Sequence, residues 1–467
     1  MVADMVPFQL LDPDTNEMKD MPTLGEEDWT KYLGLEIGCT GLKSGRKLRE
    51  EGITTLTEEL RHIHSLPLKA NQKIHLLRTY TIPSLQYKWT KGPAALNMLR
   101  QADRLIAAKV RAWLKLFHST PMAFFRTPIS DGGLGIPSIE ELVITGKVKL
   151  HAKLCRSTDP AVAHVAKTLL WGKEVKQYTK RFKDFNLGGG MSGKEISRTL
   201  SNNHRETMQK STHCKGAETF RNDPLGNSII TDTTAKTGLV IDMIKLRTQT
   251  FPTRMTLKPT RRGHHVPFNP GCRKSTCNTE RTQVPDESAS HVLQICQSVK
   301  GLRNKRHDMV DEQCTKWITD KGFLTAKEPR IDSALDGLTY YPDRLFCHPG
   351  SDTLYVLDWT VPYETTSSHL YEAEKAKVTK YRPHRASILE KAKILFPNKT
   401  FKDVVFKGIA FGARGAIRPT TREFLHKKMK MSKRCISWVQ HRVAQKSIQM
   451  LKCFFSGGKD TDGAGSQ

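Results

Sequence analysis

Tyr341-Pro342-Asp343 is followed by Leu354-Tyr355-Val356-Leu357-Asp358-Trp359-Thr360 and then by Lys377-Val378-Thr379-Lys380-Tyr381. Residues 353–361 predict a strand in which Leu354, Val356 and Leu357 are embedded. Residues 339–347 predict a short strand or turn ending near Asp343. From Ser367 to Arg382 the apolar positions Leu370 and Ala373, then Ala376/Lys377 and Lys380/Tyr381, recur at helical steps. Residues 403–411 supply another strand and residues 420–431 another helix, so this region alternates as a small α/β unit. On that arrangement Asp358, near a strand end, can face Asp343 on a neighbouring strand, and Lys377 can project over the sheet. Two carboxylates and a lysine so placed suit Mg²⁺-dependent hydrolysis of a phosphodiester, in which the lysine orients or activates water. The same residues also read as ordinary surface acids and as one of several solvated helix lysines, since Lys375 and Lys380 flank Lys377. Glu364, Glu372 and Glu374 are further ligands or surface charge; the last two read more readily as surface.

Composition supplies a substrate for such chemistry. The 467 residues carry 75 Lys and Arg against 47 Asp and Glu, a net charge of +28. A field of that size attracts polyanions and makes their binding salt-dependent; the alternative is a merely soluble basic surface. The length predicts about three domains at roughly 150 residues each. No apolar run approaches the ~20 residues of a membrane-spanning helix. Residues 1–11 contain Asp4 and Pro7 and lack a basic start, unlike a secretory leader. A reducing compartment is therefore expected, where clustered Cys and His suggest metal rather than disulfides.

Of ten cysteines, three form such a cluster. Cys272 and Cys277 are separated by four residues, thirteen residues intervene before His291, and four more separate His291 from Cys296. Three thiolates and an imidazole match tetrahedral Zn²⁺. His291 and Cys296 fit one helix and its exit, while Cys272 and Cys277 fit a turn behind Pro270-Gly271. His264 and His265 are rival ligands with less regular spacing, and four unrelated residues in a basic loop are the bland alternative.

Elsewhere, residues 28–38 alternate as a strand or hairpin, and helical signals dominate to about residue 118. Leu96, Leu99, Ile106, Val110, Trp113 and Phe117 mark one helix, started by Gly92-Pro93. Its other face carries Arg100, Arg104, Lys109, Arg111 and Lys115, either a solvated basic face or a surface laid along phosphates. Gly132-Gly133-Leu134-Gly135 favours a turn delivering the next helix over a phosphate cradle. Residues 180–235 are polar and basic, with Gly188-Gly189-Gly190 and Ser192-Gly193 marking a loosely packed connector. A helix is expected again over residues 237–247, and residues 456–467 are expected to be disordered.

Several of these segments, in this order, resemble the C-terminal half of the polyprotein of non-LTR retrotransposons that carry a restriction-like endonuclease. Tyr32-Leu33-Gly34 resembles the strand after the reverse-transcriptase active site. Leu76-Leu77-Arg78-Thr79-Tyr80 with Ile82-Pro83, Leu85 and Tyr87, the Trp113 helix, and residues 120–137 resemble that enzyme's thumb and the segment beyond it. Pro252-Thr253-Arg254 with the Cys/Cys/His/Cys set resembles the family's zinc knuckle, and Arg306-His307-Asp308 a basic patch after it. Pro342-Asp343, Asp358 and Lys377-Val378-Thr379-Lys380-Tyr381 resemble the endonuclease signature.

The resemblance implies a multidomain α+β chain: a remnant of the polymerase palm over 1–40, a mostly helical thumb-like domain over 41–160, and a basic linker with helices over 161–250. The zinc knuckle and a linker come next over 251–325, then an α/β restriction-like (PD-(D/E)xK) endonuclease domain over 326–430, and a basic helix and tail over 431–467. It implies nicking of target DNA with Mg²⁺ at Asp343 and Asp358, Lys377 beside the metal and Tyr381 shaping the site, so that the freed 3′-hydroxyl primes copying of the element's RNA. Structural Zn²⁺ at Cys272, Cys277, His291 and Cys296, and nucleic-acid contacts from Arg100, Arg104, Lys109, Arg111, Lys115, Arg306 and His307, are further implications. So are a nuclear location, no membrane, and an upstream polymerase half as partner. The chain contains no Asp-Asp pair, so the polymerase's Tyr-x-Asp-Asp motif is missing and no copying is expected of it alone. The competing expectations are a non-catalytic relic or co-opted protein that grips RNA or DNA and, more remotely, a zinc-dependent transcription regulator.

Overall fold

A computed structural model describes residues 9–456, apart from 21–24, 26, 33–34, 39–40, 43–45, 93, 118–119, 169–170, 189, 258–267 and 278–283. His264, His265, Cys39 and the tail beyond residue 456 thus lie outside the described residues. The chain divides into two compact units. The first comprises Met1–Leu68, Lys73–Val110 and Pro137–Thr199, and the second Lys69–Gln72, Arg111–Ile136 and Leu200–Gln467.

Strands β1 (Gln9–Leu11) and β2 (Met18–Asp20) form an antiparallel hairpin, and β3 (Thr30–Tyr32), β4 (Leu35–Gly38) and β5 (Gly41–Leu42) an antiparallel meander where residues 28–38 predict a strand or hairpin. Helices come next: α1 (Arg46–Ser65), α2 (Ala70–Leu76), α3 (Ile82–Lys91), α4 (Leu96–Leu114), α5 (Met122–Arg126), α6 (Ile139–Cys155), α7 (Pro160–Thr168), α8 (Trp171–Asp184) and α9 (Gly193–Gln209). Between α2 and α3 the chain makes a π turn, Leu77–Thr81, just ahead of Pro83. Pro83 lacks an N–H, and a widened turn also relieves the ring's clash with the preceding carbonyls. In the first unit α6 packs closely on α3: a Cβ on Gly146 would meet Thr90 at 2.7 Å. The Asp103 carboxylate caps α6, accepting from Ile139 N at 2.9 Å and Ser138 Oγ at 2.6 Å. Helix α4 buries Leu99, Ile106, Val110 and Trp113 as the spacing predicts, whereas Phe117 lies beyond its end.

The glycines at 132–135 form a turn. Gly132 takes φ 86°, and Gly133 N and Gly135 N donate to Pro128 O and Thr127 O. With those N–H groups committed internally, they cradle no phosphate. The connector expected after Gly188-Gly190 gives way at Gly193, where α9 begins; its Ser192 hydroxyl accepts from Glu195 N.

The second unit continues with α10 (Pro224–Asn227), α11 (Thr237–Arg247), α12 (Ala289–Gln294) and α13 (Lys300–Thr319). Then come β6 (Leu324–Lys327), β7 (Ile331–Asp332), β8 (Thr339–Tyr340), β9 (Arg344–Cys347) and β10 (Thr353–Thr360). It ends with α14 (His369–Tyr381), α15 (Arg385–Leu395), β11 (Asp403–Ala410), α16 (Pro419–Lys427) and α17 (Lys433–Phe455). Four strands form a mixed sheet in the order β11-β10-β9-β6, with β10 and β11 parallel and the other pairs antiparallel. A parallel pair needs a crossover, and α14 and α15 supply it. Residues 339–347 depart from expectation: two short strands flank Asp343, which precedes β9 instead of ending a strand.

Side chains alternate across β10. Leu354 and Val356 pack with Leu345, Cys347, Tyr381 and Ile388 on the α14–α15 face. On the other face Trp359 is fully buried, and its indole donates to Asp311 of α13 at 2.9 Å. Period two therefore places Asp358, two residues after Val356, under α14.

Candidate active site and metal centre

The β9–β10 register pairs Arg344 with Leu357, so one further step sets Asp343 beside Asp358 at the sheet's end. Both acids continue the face that carries Leu345 and Val356. Helix α14 buries Leu370, Glu374 and Tyr381 in a stripe at helical spacing, and Lys377 falls on that stripe; Lys375 and Lys380 are exposed. Lys377 Nζ reaches to 2.6 Å from Asp358 Oδ1. Gly408, opposite Asp358 on β11, permits the approach: a Cβ there would lie 2.4 Å from Glu374 O. Tyr381 donates to Tyr341 O at 2.9 Å, closing the floor beside Asp358.

The two carboxylates differ. Asp343 Oδ2 accepts from Trp359 N at 2.6 Å and lies 3.4 Å from His307 Nε2. Burial pushes its carboxyl up, but His307 and the Trp359 N–H outweigh that and hold it below the usual range. The hydrogen bond to Asp343 in turn pushes His307 up to about 9, against burial. Asp358 is raised instead, first by burial and then by the charge of Asp343; Lys377 opposes both without cancelling them. Its Oδ1 is buried, and no donor aligns on it as a hydrogen bond despite the short ion pair. A buried carboxylate oxygen without an aligned donor, beside a second carboxylate, is a donor set that suits a hard divalent cation.

Two of the three further glutamates are structural. Glu364, fully buried, accepts from Arg414 N and Ala416 N. Glu374, read from the sequence as surface charge, is 3% exposed and binds Arg418 and Thr421. Only Glu372 of the three is exposed.

The Cys/His cluster assembles as its spacing predicts. One ligand atom from each of Cys272, Cys277, His291 and Cys296 lies within 4.8 Å of the others. Cys277 Sγ is 3.6 Å from both His291 Nε2 and Cys296 Sγ. Tetrahedral zinc with bonds of about 2.3 Å sets ligands about 3.7 Å apart, so these four could bind zinc. Burial and the neighbouring thiols push Cys272 up to about 12; a coordinated cation reverses that by taking the thiolate. Fully buried Glu287 braces the first loop, receiving Arg273 through two bonds of 2.5 and 2.7 Å. Ser288 caps α12, which presents His291.

The expected nucleic-acid residues scatter. Arg306 is 1% exposed and ties α13 to Ser447 of α17 at 2.8 Å and to Leu293 O at 3.0 Å, so it is a core brace and belongs to no surface patch. Burial draws its guanidinium down to about 10. His307 faces Asp343. Arg100 pairs with Glu140 at 3.0 Å. Arg111 donates to Thr120 O at 3.1 Å and lies over the Phe125 ring, turned to the protein. Arg104 and Lys115 are exposed and Lys109 half-buried. Sequence reasoning missed His307 as a partner of Asp343, which no local pattern signals. It also missed Gly408, although a glycine inside a strand is itself a sign of close backbone approach.

No family model matches the chain. Relatives at 25–28% identity over most of it are Pol polyproteins of R2 retrotransposable elements, and the likeness to a non-LTR retrotransposon polyprotein region therefore holds. A retrovirus-related Pol polyprotein from a type-1 R2 element of Popillia japonica is 28% identical, covering 85% of this chain and 75% of the relative. That from the type-2 element R2DM of Drosophila melanogaster is 27% identical over 67% of this chain, and that of Nasonia vitripennis 25% identical over 69%. The chain spans only 28% of the length of each of the latter two.

Proposed function

We propose that this chain is the endonuclease-bearing part of a retrotransposon reverse transcriptase/endonuclease, and that Asp343, Asp358 and Lys377 form a site that nicks target DNA. The observation that carries the reading is the meeting of those three groups on one sheet face, with Asp358 Oδ1 left without an aligned donor. The region 326–430 then corresponds to a restriction-like endonuclease domain, the Cys/His centre to a zinc knuckle, and the helical residues 41–160 to a thumb-like clamp.

Asp343 and Asp358 would hold Mg²⁺, which when bound supplies charge neutralisation at the scissile phosphate and a more acidic water. His307 keeps the Asp343 carboxylate ionised and oriented. Lys377 holds a positive charge beside Asp358, where it orients the attacking water or offsets charge developing on the phosphate oxygens. Tyr381, its hydroxyl pushed well up by burial and by Asp358, stays protonated and closes the floor of the site. The freed 3′-hydroxyl would prime copying of element RNA by a polymerase half supplied elsewhere, in the nucleus.

Plasmid nicking in Mg²⁺ tests this. Asp358→Asn lowers nicking by about 10³-fold, the several kcal/mol that a lost metal ligand represents. Its melting temperature holds or rises, because a buried, raised carboxylate is removed. Nicking unchanged in that variant sinks the assignment.

A further inference from the structure

Helix α17 carries Arg434, Trp438, Arg442 and Lys446 at steps of four. Such a series lies along one helix face with about 6 Å of rise between neighbours. Arg434, Trp438 and Arg442 are exposed, and Lys446 is half-buried. The opposite face, with Ile436, Val439 and Val443, is fully buried. Trp438, at 39% exposure, is the large apolar side chain of α17 left in solvent. Its ring is nevertheless held in place: Trp317 of α13 meets it edge-on at 5.3 Å and 83°, and the Arg442 guanidinium sits 5.4 Å from its centroid. The cations beside it have no carboxylate partner among the described residues, and Arg442 donates only to the neutral Gln445. By contrast Lys452, further along α17, is paired with Asp242 at 2.5 Å. Lys433 on α17 and Lys316 on α13 are exposed as well.

We propose that this face of α17 binds an unpaired DNA strand, with a base stacked on Trp438 and phosphates on Arg434, Arg442 and Lys446. A fixed aromatic ring between unpaired cations is the arrangement that grips single strands, because every base offers a π-face and every link a phosphate. A duplex hides its base faces, so it meets the cations and not the ring. An apolar protein surface would have to bury three uncompensated charges. DNA is chosen over RNA because a nick creates a free strand end that can peel from its complement beside the enzyme, and in that choice the proposal rests on the nicking reading.

The test uses the full chain carrying Asp358→Asn, without added divalent cation, so that binding is read apart from cutting. Labelled single-stranded DNA of mixed sequence, its duplex and RNA of the same sequence are the probes. Trp438→Ala weakens single-stranded DNA binding about tenfold and leaves the duplex within about twofold, and Trp438→Phe restores the affinity. Arg434→Gln and Arg442→Gln, both on the surface, each lower the salt slope by about 0.7, a reading that stands even if the tryptophan variant misfolds. Unchanged affinity and slope overturn the proposal, as does an equal loss on duplex or a loss confined to RNA.

Discussion

The Cys/His cluster, which could bind zinc, and the acidic cluster, proposed to hold Mg²⁺, are built in opposite ways. The four ligands of the first come from 25 residues of chain, from Cys272 to Cys296, and three of them are buried. Nothing in the set is left over for a substrate, which is how structural zinc is held. The second draws on residues that precede β9, end β10 and line α14. It has only two carboxylates, and it stays partly open: the side chains of Lys377 and Asp343 are 32% and 18% exposed. A closed set of buried thiols is worth folding energy. An open pair of acids whose charges oppose each other costs stability and, on the proposed reading, serves chemistry.

Metal removal exposes that contrast most strongly. Extraction of zinc with a chelator, or Cys296→Ser, unfolds the region around α12 and costs several kcal/mol, read as a fall in melting temperature together with loss of stoichiometric zinc. A metal-free chain with the same melting temperature ends the comparison. Gly408→Ala strikes the acidic site through its scaffold. The new Cβ cannot share space with Glu374 O, so α14 retreats at a cost of about 2 kcal/mol. Lys377 then drifts from Asp358, and nicking falls by about 10²-fold, as misplacement by about 1 Å allows. Full nicking with a normal melting temperature would show that the approach of α14 is immaterial.

The smallest effect is His307→Gln, about 1 kcal/mol or less because the imidazole is partly solvated. Its sign comes from the two shifts. His307 rises to about 9 in the fold, so its stabilisation is full below the unfolded value of about 6.5 and is lost as pH climbs through about 9. Asp343, held low, contributes above its unfolded value of about 3.9 and loses that as pH falls. The melting-temperature gap between variant and parent is therefore widest from about pH 4 to 6.5 and closes above about pH 9. A gap that persists in alkali breaks the His307–Asp343 link.

Neighbours Arg306 and His307 show where sequence reading stops. Both belong to the tripeptide Arg306-His307-Asp308, yet α13 turns one into the core toward Ser447 and the other toward Asp343. Successive residues on a helix point about 100° apart, and which direction is buried depends on what packs there. Glu374 makes the same point: Glu372 and Glu374 both read as surface charge in the sequence, and only packing against Arg418 and Thr421 sets Glu374 apart.

The amino-acid sequence by itself determined the zinc-type cluster, the strand bearing Asp358, the helix bearing Lys377, the glycine turn after α5 and the basic charge. Each comes from spacing along a short piece of chain, through period two, period 3.6, ligand intervals or turn chemistry. Only the tertiary structure decided that Asp343 meets Asp358 from just ahead of β9, that His307 is its partner, and that Gly408 lets α14 close over both. Those depend on register between strands and on how near two backbones can come, and long-range contacts of that kind leave no periodic mark in the chain.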